Sequence, residues 1–138
     1  MAVLLVEDDT AIRLTLAEHM EDLGLQVLDA ADAEAALCLL DQPPGDITVL
    51  VTDLNLGPGE NGLILAAKAR RRVPDLRIVY ATGSPELLRC HTLRPWERLF
   101  IKPFDACRLA AEVQALDRAL LGALPAVGVK AADAKVGR

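Results

Sequence analysis

Five short apolar runs alternate along this chain with longer segments of helical period, and that alternation constrains the fold more than any other feature. "AVLLV" (2–6), "LQVLDA" (25–30), "ITVLVTD" (47–53), "LRIVYAT" (76–82) and "RLFI" (98–101) read as strands. Runs apolar on both faces suit a parallel sheet covered by helices on each side. After the first strand, Thr10 is placed to cap a helix carrying Ile12, Leu16, Met20 and Leu23, with Gly24 as its stop. "DAEAALCLL" (32–40) reads as the second helix and "NGLILAAKARRRV" (61–73) as the third. Arg70, Arg71 and Arg72 fit the negative end of that third helix better than they fit a nucleic-acid patch. "SPELLRC" (84–90) reads as a fourth helix, capped by Ser84, with Pro85 at its first position and Pro95 limiting its length. "DACRLAAEVQALDRALL" (105–121) is the last and clearest amphipathic segment. Five β-α units predict a doubly wound α/β domain over residues 1–121, with 122–138 as a flexible tail.

Composition narrows the function. A chain of 138 residues suits one domain with one core, and 52% hydrophobic content excludes a disordered segment. Aromatics are only 3%, so Leu, Val, Ile and Ala must fill that core. A formal charge of −5 argues against nucleic acid as a partner, since such binding needs positive charge to displace counterions. Proteins are the expected partners. Cys38, Cys90 and Cys107 are scattered, with no C-x-x-C, and read as small buried apolar residues in a reducing compartment. No apolar run reaches membrane-spanning length and the first residues lack a basic start, so the expected place is the cytoplasm, away from membranes. Met1 directly before the first strand fits a natural start. The 17 residues after position 121 are too few for a helix-turn-helix or a catalytic domain. The chain is therefore either a stand-alone unit or a piece of a longer protein.

Right-handed crossovers put the ligand crevice of such a sheet at the carboxyl ends of its strands. Glu7 and Asp8 end the first strand, Asp53 the third and Thr82 the fourth, and Lys102 follows the fifth. Each has an ordinary explanation alone, as helix-dipole compensation, a turn former or a solvated charge. Four strands delivering polar groups to one rim is a different matter. Glu7, Asp8 and Asp9 stand together without a basic neighbour in sequence, and a divalent cation would offset their repulsion.

The stretches "VLLVEDD", "VLVTDLNL", "YATGS" and "FIKPF" occur in this order and spacing. In them the chain resembles the receiver domain of two-component response regulators, over roughly residues 2–121. The resemblance implies a flavodoxin-like three-layer sandwich on a five-stranded parallel sheet of order 2-1-3-4-5. It implies that Asp53 accepts a phosphoryl group from a histidine kinase or phosphotransfer protein in a Mg²⁺-dependent reaction. Asp8 and Asp53 would be direct metal ligands, Glu7 a ligand through water, and Asn55 a ligand through its backbone carbonyl. Lys102 would pair with a phosphoryl oxygen, and the Thr82 hydroxyl would donate to another. Pro103 matches a proline whose preceding peptide bond is cis in the family. The switch position, commonly Tyr or Phe, is here Leu99, which offers no ring to move when Thr82 moves. The loop "NLGPGENG" is one residue longer than the common form, with Gly57 where Pro is usual and Pro58 after it, while Gly62 permits close packing at the start of the next helix. Signalling would pass by protein contact to a downstream target, from a monomer or weak dimer that catalyses only its own phosphorylation and dephosphorylation.

Four other readings compete for the same residues. The chain could be a receiver module of a hybrid kinase. An aspartyl-phosphate phosphohydrolase, of the haloacid-dehalogenase kind, needs a second carboxylate where this chain has Asn55. A flavodoxin-like cofactor binder needs a glycine-rich phosphate loop where this chain has three acids. A receiver-like module that only binds partners would not need Glu7, Asp8, Asp53, Thr82 and Lys102, all of which are present.

Overall fold

The structure, a computed structural model, describes residues 2–41, 47–57 and 61–122, with side chains described as far as residue 119. The elements run β1 (Ala2–Val6), α1 (Thr10–Asp22), β2 (Gln26–Ala30), α2 (Ala33–Asp41), β3 (Ile47–Thr52), α3 (Gly62–Arg72), β4 (Arg77–Thr82), β5 (Glu97–Ile101) and α4 (Ala106–Gly122). The five strands form one parallel sheet of order β2-β1-β3-β4-β5. The expected flavodoxin-like sandwich is therefore the observed architecture. Every residue of β1 and β3 is buried, as strands covered on both faces require.

Alternation along the strands divides the core into two layers. Leu4, Val6, Leu50, Ile78 and Tyr80 face α2 and α3, where Ala36, Leu40, Leu65 and Ala69 meet them. Val3, Leu5, Val49, Val51, Val79 and Phe100 face α1 and α4, against Leu16, Met20, Leu109 and Val113. No helix among the described residues is long and apolar enough to cross a membrane.

Four expectations need correction. The cap of α1 is Asp9, not Thr10: Asp9 has extended backbone and its Oδ1 accepts the Ile12 N–H at 3.1 Å, which starts the helix one residue earlier. The helix expected over 84–90 is a single 3₁₀ turn, Pro85–Leu88, and Ser84 makes no side-chain cap. A helix that short gains little from its own hydrogen bonds, and the following chain is drawn elsewhere. The buried Glu97 carboxylate accepts the Arg94 N–H at 3.0 Å and lies 3.1 Å from His91 Nε2, which holds 91–96 against β5. β2 is not apolar on both faces, because it is an edge strand with Gln26 and Asp29 exposed. The three cysteines are free and exposed, not buried. Cys38, for example, lies off the stripe of Ala33, Ala36 and Leu40 that α2 turns to the core.

The other helix ends follow local chemistry. Asn61 caps α3 by accepting the Ile64 N–H at 2.9 Å, and Gly24 takes a left-handed φ of 88° after α1. Arg70, Arg71 and Arg72 occupy the last turn of α3, with Arg70 paired to Glu97 and Arg72 to Asp41. α4 runs to Gly122, one residue into the expected tail, and the rest of that tail, from 123 onward, lies outside the described residues.

Candidate functional site

Strand register builds the site. Val6 pairs with Thr52, so Glu7 and Asp53 leave adjacent strands side by side, joined by the Asp53 N–H donating to the Val6 carbonyl at 3.2 Å. Thr82 pairs with Ile101, and the Lys102 N–H donates to the Thr82 carbonyl at 2.9 Å. Two adjacent strand pairs thus deliver Glu7, Asp53, Thr82 and Lys102 to the carboxyl rim of one sheet. A cleft of about 480 Å³ opens there, lined by Glu7, Asp8, Asp9, Asp53, Asn55, Gly57, Gly83, Ser84 and Lys102.

The acids that stand alone in sequence are not alone in space. Lys102 Nζ lies 2.8 Å from Asp53 Oδ2 and 3.0 Å from Glu7 Oε1, bridging the two carboxylates. Arg13 Nη1 donates to the Glu7 carbonyl at 2.7 Å, and the Asp9 N–H donates to Glu7 Oε2 at 3.1 Å. Carboxylate oxygens of Glu7, Asp8 and Asp53 all lie within 4.8 Å of one another. Asp9 is outside that set and serves as the α1 cap. The Asn55 N–H donates to Asp53 Oδ1 at 3.1 Å, so a backbone amide holds one oxygen of this carboxylate and Lys102 holds the other.

Burial sets the electrostatics. Glu7 is only 1% exposed, and that burial pushes its carboxyl above the usual range against the Asp9 N–H and Lys102, which pull it down. Burial pulls Lys102 down, but hydrogen bonds to Asp53 and Glu7 outweigh it and leave the ammonium above its usual value. Lys102 is therefore a firmly charged counter-ion. Asp53 is 6% exposed at the cleft, whereas Asp8 is exposed at its mouth.

Gly62 makes the approach of α3 possible. A Cβ there would lie 2.1 Å from the Asp53 carbonyl oxygen and 2.9 Å from Leu54 Cα. Gly57 has φ of 83°, a left-handed conformation closed to proline, which accounts for glycine in place of the usual residue. The rest of that loop, including Pro58, lies outside the described residues. Thr82 is fully buried behind Gly83 and Ser84, and its Oγ1 accepts the Ser84 N–H at 2.9 Å. The Lys102–Pro103 peptide bond is cis. Leu99 lies opposite Tyr80, half-buried against the α2–α3 layer.

Sequence reading missed Arg13, Ser84 and Gly83 as parts of the site. Arg13 sits six residues after the group it serves, across the β1–α1 turn, and no local spacing signals that. Gly83 and Ser84 follow Thr82 directly, and their Gly-Ser turn chemistry was the available signal.

Three hard oxygen donors so close together match a small divalent cation that keeps several waters. A cation at one side of Asp53 and Lys102 at the other could stabilise a group with spread negative charge on the Asp53 carboxylate. Known proteins share this sequence pattern and this fold. Residues 3–114 match the family described as response regulator receiver domain. The chain is 30% identical over 115 residues to the sensor kinase CckA of Brucella abortus, an alignment covering 81% of this chain and 12% of that protein. It spans 23% and 32% of two further curated relatives, so the shared part is one portion of each. A response regulator receiver protein from Sinorhizobium medicae superposes with a TM-score of 0.77 at 26% identity, covering 86% of this chain and 95% of that one. The response regulator TrrA of Thermotoga maritima, solved in complex with Mg²⁺–BeF, gives 0.68 at 28% identity, with 84% and 99% covered. Matched along most of its length, with the acids, the threonine and the lysine gathered at the carboxyl rim of the sheet, the chain belongs to the response regulator receiver domain family of two-component signalling.

Proposed function

We propose that Asp53 is the phospho-acceptor, taking its phosphoryl group from a phosphohistidine of a histidine kinase or phosphotransfer protein. One Asp53 oxygen attacks phosphorus, the new O–P bond forms as the P–N bond breaks, and the imidazole leaves. The Asn55 N–H holds Oδ1 and so fixes the rotation of the carboxylate for in-line approach. Lys102 shifts from carboxylate to phosphoryl oxygen as charge moves outward, which its flexible stem allows. The Thr82 hydroxyl accepts from Ser84 and keeps its own hydrogen to donate. Asp8 and Asp53 would hold Mg²⁺ directly, Glu7 through water and Asn55 through its carbonyl. When bound, Mg²⁺ offsets the charge of the acids and of the incoming phosphoryl oxygens.

One observation carries this assignment: Asp53 has the Glu7 and Asp8 carboxylates within 4.8 Å and Lys102 Nζ at 2.8 Å. The phosphohydrolase reading is disfavoured by Asn55, a neutral amide whose Oδ1 accepts the Gly57 N–H at 3.4 Å. Beside the cleft, Ala11, Ile12, Thr15, Phe104 and Ala106 line an apolar hollow of about 480 Å³, suited to seat a helix of the donor protein. Output would pass by protein contact in the cytoplasm, from a stand-alone receiver or from a module of a hybrid kinase such as CckA.

The test uses acetyl phosphate as donor with Mg²⁺, read by intact mass. Wild type is expected to gain one phosphoryl group and Asp53→Asn none. Phosphorylation of Asp53→Asn at the wild-type rate would remove Asp53 from its role. Multiple turnover of small phosphate esters would favour a hydrolase.

A further inference from the structure

Cys107 is exposed and stands off the stripe of Leu109, Ala110, Val113 and Leu116 that α4 turns to the core, so packing does not account for it. Its Sγ lies 3.5 Å from Nδ1 of His19, in the last turn of α1. Two hydrogen bonds fix the helix ends that carry this pair. The Cys107 N–H donates to Asp105 Oδ1 at 2.9 Å, and Gln114 Nε2 donates from α4 to the Leu23 carbonyl at the end of α1, at 3.1 Å. Neither Cys107 nor His19 lines the Asp53 cleft.

Thiolate and imidazole together select zinc over the hard cations that the carboxylates of the cleft suit. Bonds of about 2.3 Å to sulfur and about 2.0–2.1 Å to nitrogen, at a tetrahedral angle, put the two ligand atoms ~3.5–3.6 Å apart. The observed 3.5 Å is one edge of that tetrahedron. In the metal-free chain the same distance is a weak thiol–imidazole hydrogen bond, which holds both atoms ready. Two ligands are half a site. No further His, Cys, Asp or Glu among the described residues forms a ligand group with them.

We propose that Cys107 and His19 are half of a zinc site that a second copy of the chain completes. A two-fold axis through the ion supplies the same two residues again, giving two cysteines and two histidines, a closed tetrahedral set. Each thiol gives up its proton as its sulfur binds, so two protons leave per ion. The surrounding face suits pairing with itself. α1 presents exposed Glu18 and Asp22 and α4 presents exposed Arg108 and Arg118, and none of the four has an ion-pair partner among the described residues. In an isologous contact the bases of each α4 can meet the acids of the other α1. Ala111, exposed one turn after Cys107, adds no bulk to hold the copies apart. The proposal does not depend on the role of Asp53.

The test titrates the full-length chain with Zn²⁺ in reducing buffer containing excess Mg²⁺, which occupies oxygen sites, and follows mass by sedimentation. Co²⁺ replaces Zn²⁺ as a spectroscopic probe. Expected are conversion of monomer to dimer at one ion per two chains, reversal by EDTA, and a cobalt spectrum with a thiolate charge-transfer band and the strong visible bands of tetrahedral coordination. Cys107→Ser and His19→Gln should each weaken zinc binding by more than the ~10-fold that loss of an outer-shell partner costs, and neither should dimerise. Cys38→Ser, Cys90→Ser and Asp8→Asn should still dimerise with zinc, which separates this site from the other thiols and from the cleft. Unchanged melting temperature and acetyl phosphate labelling of Cys107→Ser and His19→Gln would show that fold and cleft are intact. One ion per chain without a dimer, a cobalt spectrum lacking the thiolate band, loss of the dimer in Asp8→Asn, or a dimer that forms equally without metal would each overturn the proposal.

Discussion

Gly62→Ala should be among the most damaging single-methyl changes in this domain. The added Cβ would lie 2.1 Å from the Asp53 carbonyl oxygen and 2.9 Å from both the Asp53 carbonyl carbon and Leu54 Cα. All three are backbone atoms, so no side-chain rotation can relieve the clash. Carbon contacts are comfortable near ~3.5 Å, so the start of α3 must withdraw by roughly 1 Å. Overpacking costs about 1–3 kcal/mol. The withdrawal also strains the bond from the Gly62 N–H to the Leu54 carbonyl, now 2.8 Å, and such a bond contributes about 1 kcal/mol. Alanine's helix preference returns at most ~1 kcal/mol. The net loss is about 1–3 kcal/mol, or roughly 4–12 °C in melting temperature for a domain of this size. Gly24→Ala is the control: its φ is 88° with nothing within 4 Å, so backbone conformation alone is penalised, at about 1–2 kcal/mol. The displaced carbonyl belongs to the proposed acceptor itself, and a misplacement of ~1 Å can slow a reaction about a hundredfold. Thermal and urea unfolding, with acetyl phosphate labelling rates, measure both effects. A Gly62→Ala protein melting within ~2 °C of wild type, or labelled at the wild-type rate, would refute the reasoning.

Three further outcomes follow from the site. Asp8→Ala should weaken Mg²⁺ binding more than Glu7→Ala in calorimetric titration, because water can replace a water-mediated ligand and cannot replace a direct one; equal losses would contradict the proposed ligand roles. Burial raises the Glu7 carboxyl above its value of 4.5, so its contribution to stability is complete below pH 4.5 and lost as pH rises through the raised folded value. In urea titrations with EDTA, Glu7→Gln should therefore gain on wild type as pH rises from 4 to 8, and a constant difference would count against it. Beryllofluoride is expected to shift the Gly83 and Ser84 amides of wild type and of Leu99→Ala alike, with affinities within about twofold, which is ~0.5 kcal/mol or less; loss of those shifts in the variant alone would make Leu99 the switch.

What the sequence disclosed depended on where the deciding interactions lie. β1 and β3 were legible because both faces are buried and the apolar run is unbroken. The rim residues were legible because a strand's last residue marks its own position, and parallel order does the rest. Asp9 and Thr10 are both capping types, and only the extended backbone at Asp9 decides between them. The short 3₁₀ turn at Pro85–Leu88 was not legible, since it reflects a buried carboxylate at Glu97 that gathers Arg70 from α3 with His91 and Arg94. Glu97 reads in sequence as an ordinary charge before a strand. The exposure of Cys38 follows from helical period, which sets it off the stripe of Ala33, Ala36 and Leu40, and not from the apolar character of cysteine.

The same cluster bears on how a signal could leave the site. Tyr80, opposite Leu99, is fully buried and meets His91 edge-on, with ring centroids 5.9 Å apart and planes at 80°. The aromatic side chain of this layer is thus on β4, and its hold on His91 ties it to Glu97 and α3. A ring so enclosed has no second place to go. Leu99, which could move, brings no ring and no hydroxyl. Thr82 is different, because its oxygen holds the Ser84 N–H while its hydrogen remains free for a phosphoryl oxygen. Drawing that hydroxyl toward Asp53 need not break the bond to Ser84, so Ser84 is drawn with it. Ser84 opens the 3₁₀ turn, whose Leu87 is exposed and whose Leu88 is anchored in the core. Movement at Thr82 therefore has a covalent and hydrogen-bonded route to the surface through the loop, and it needs no aromatic rotamer.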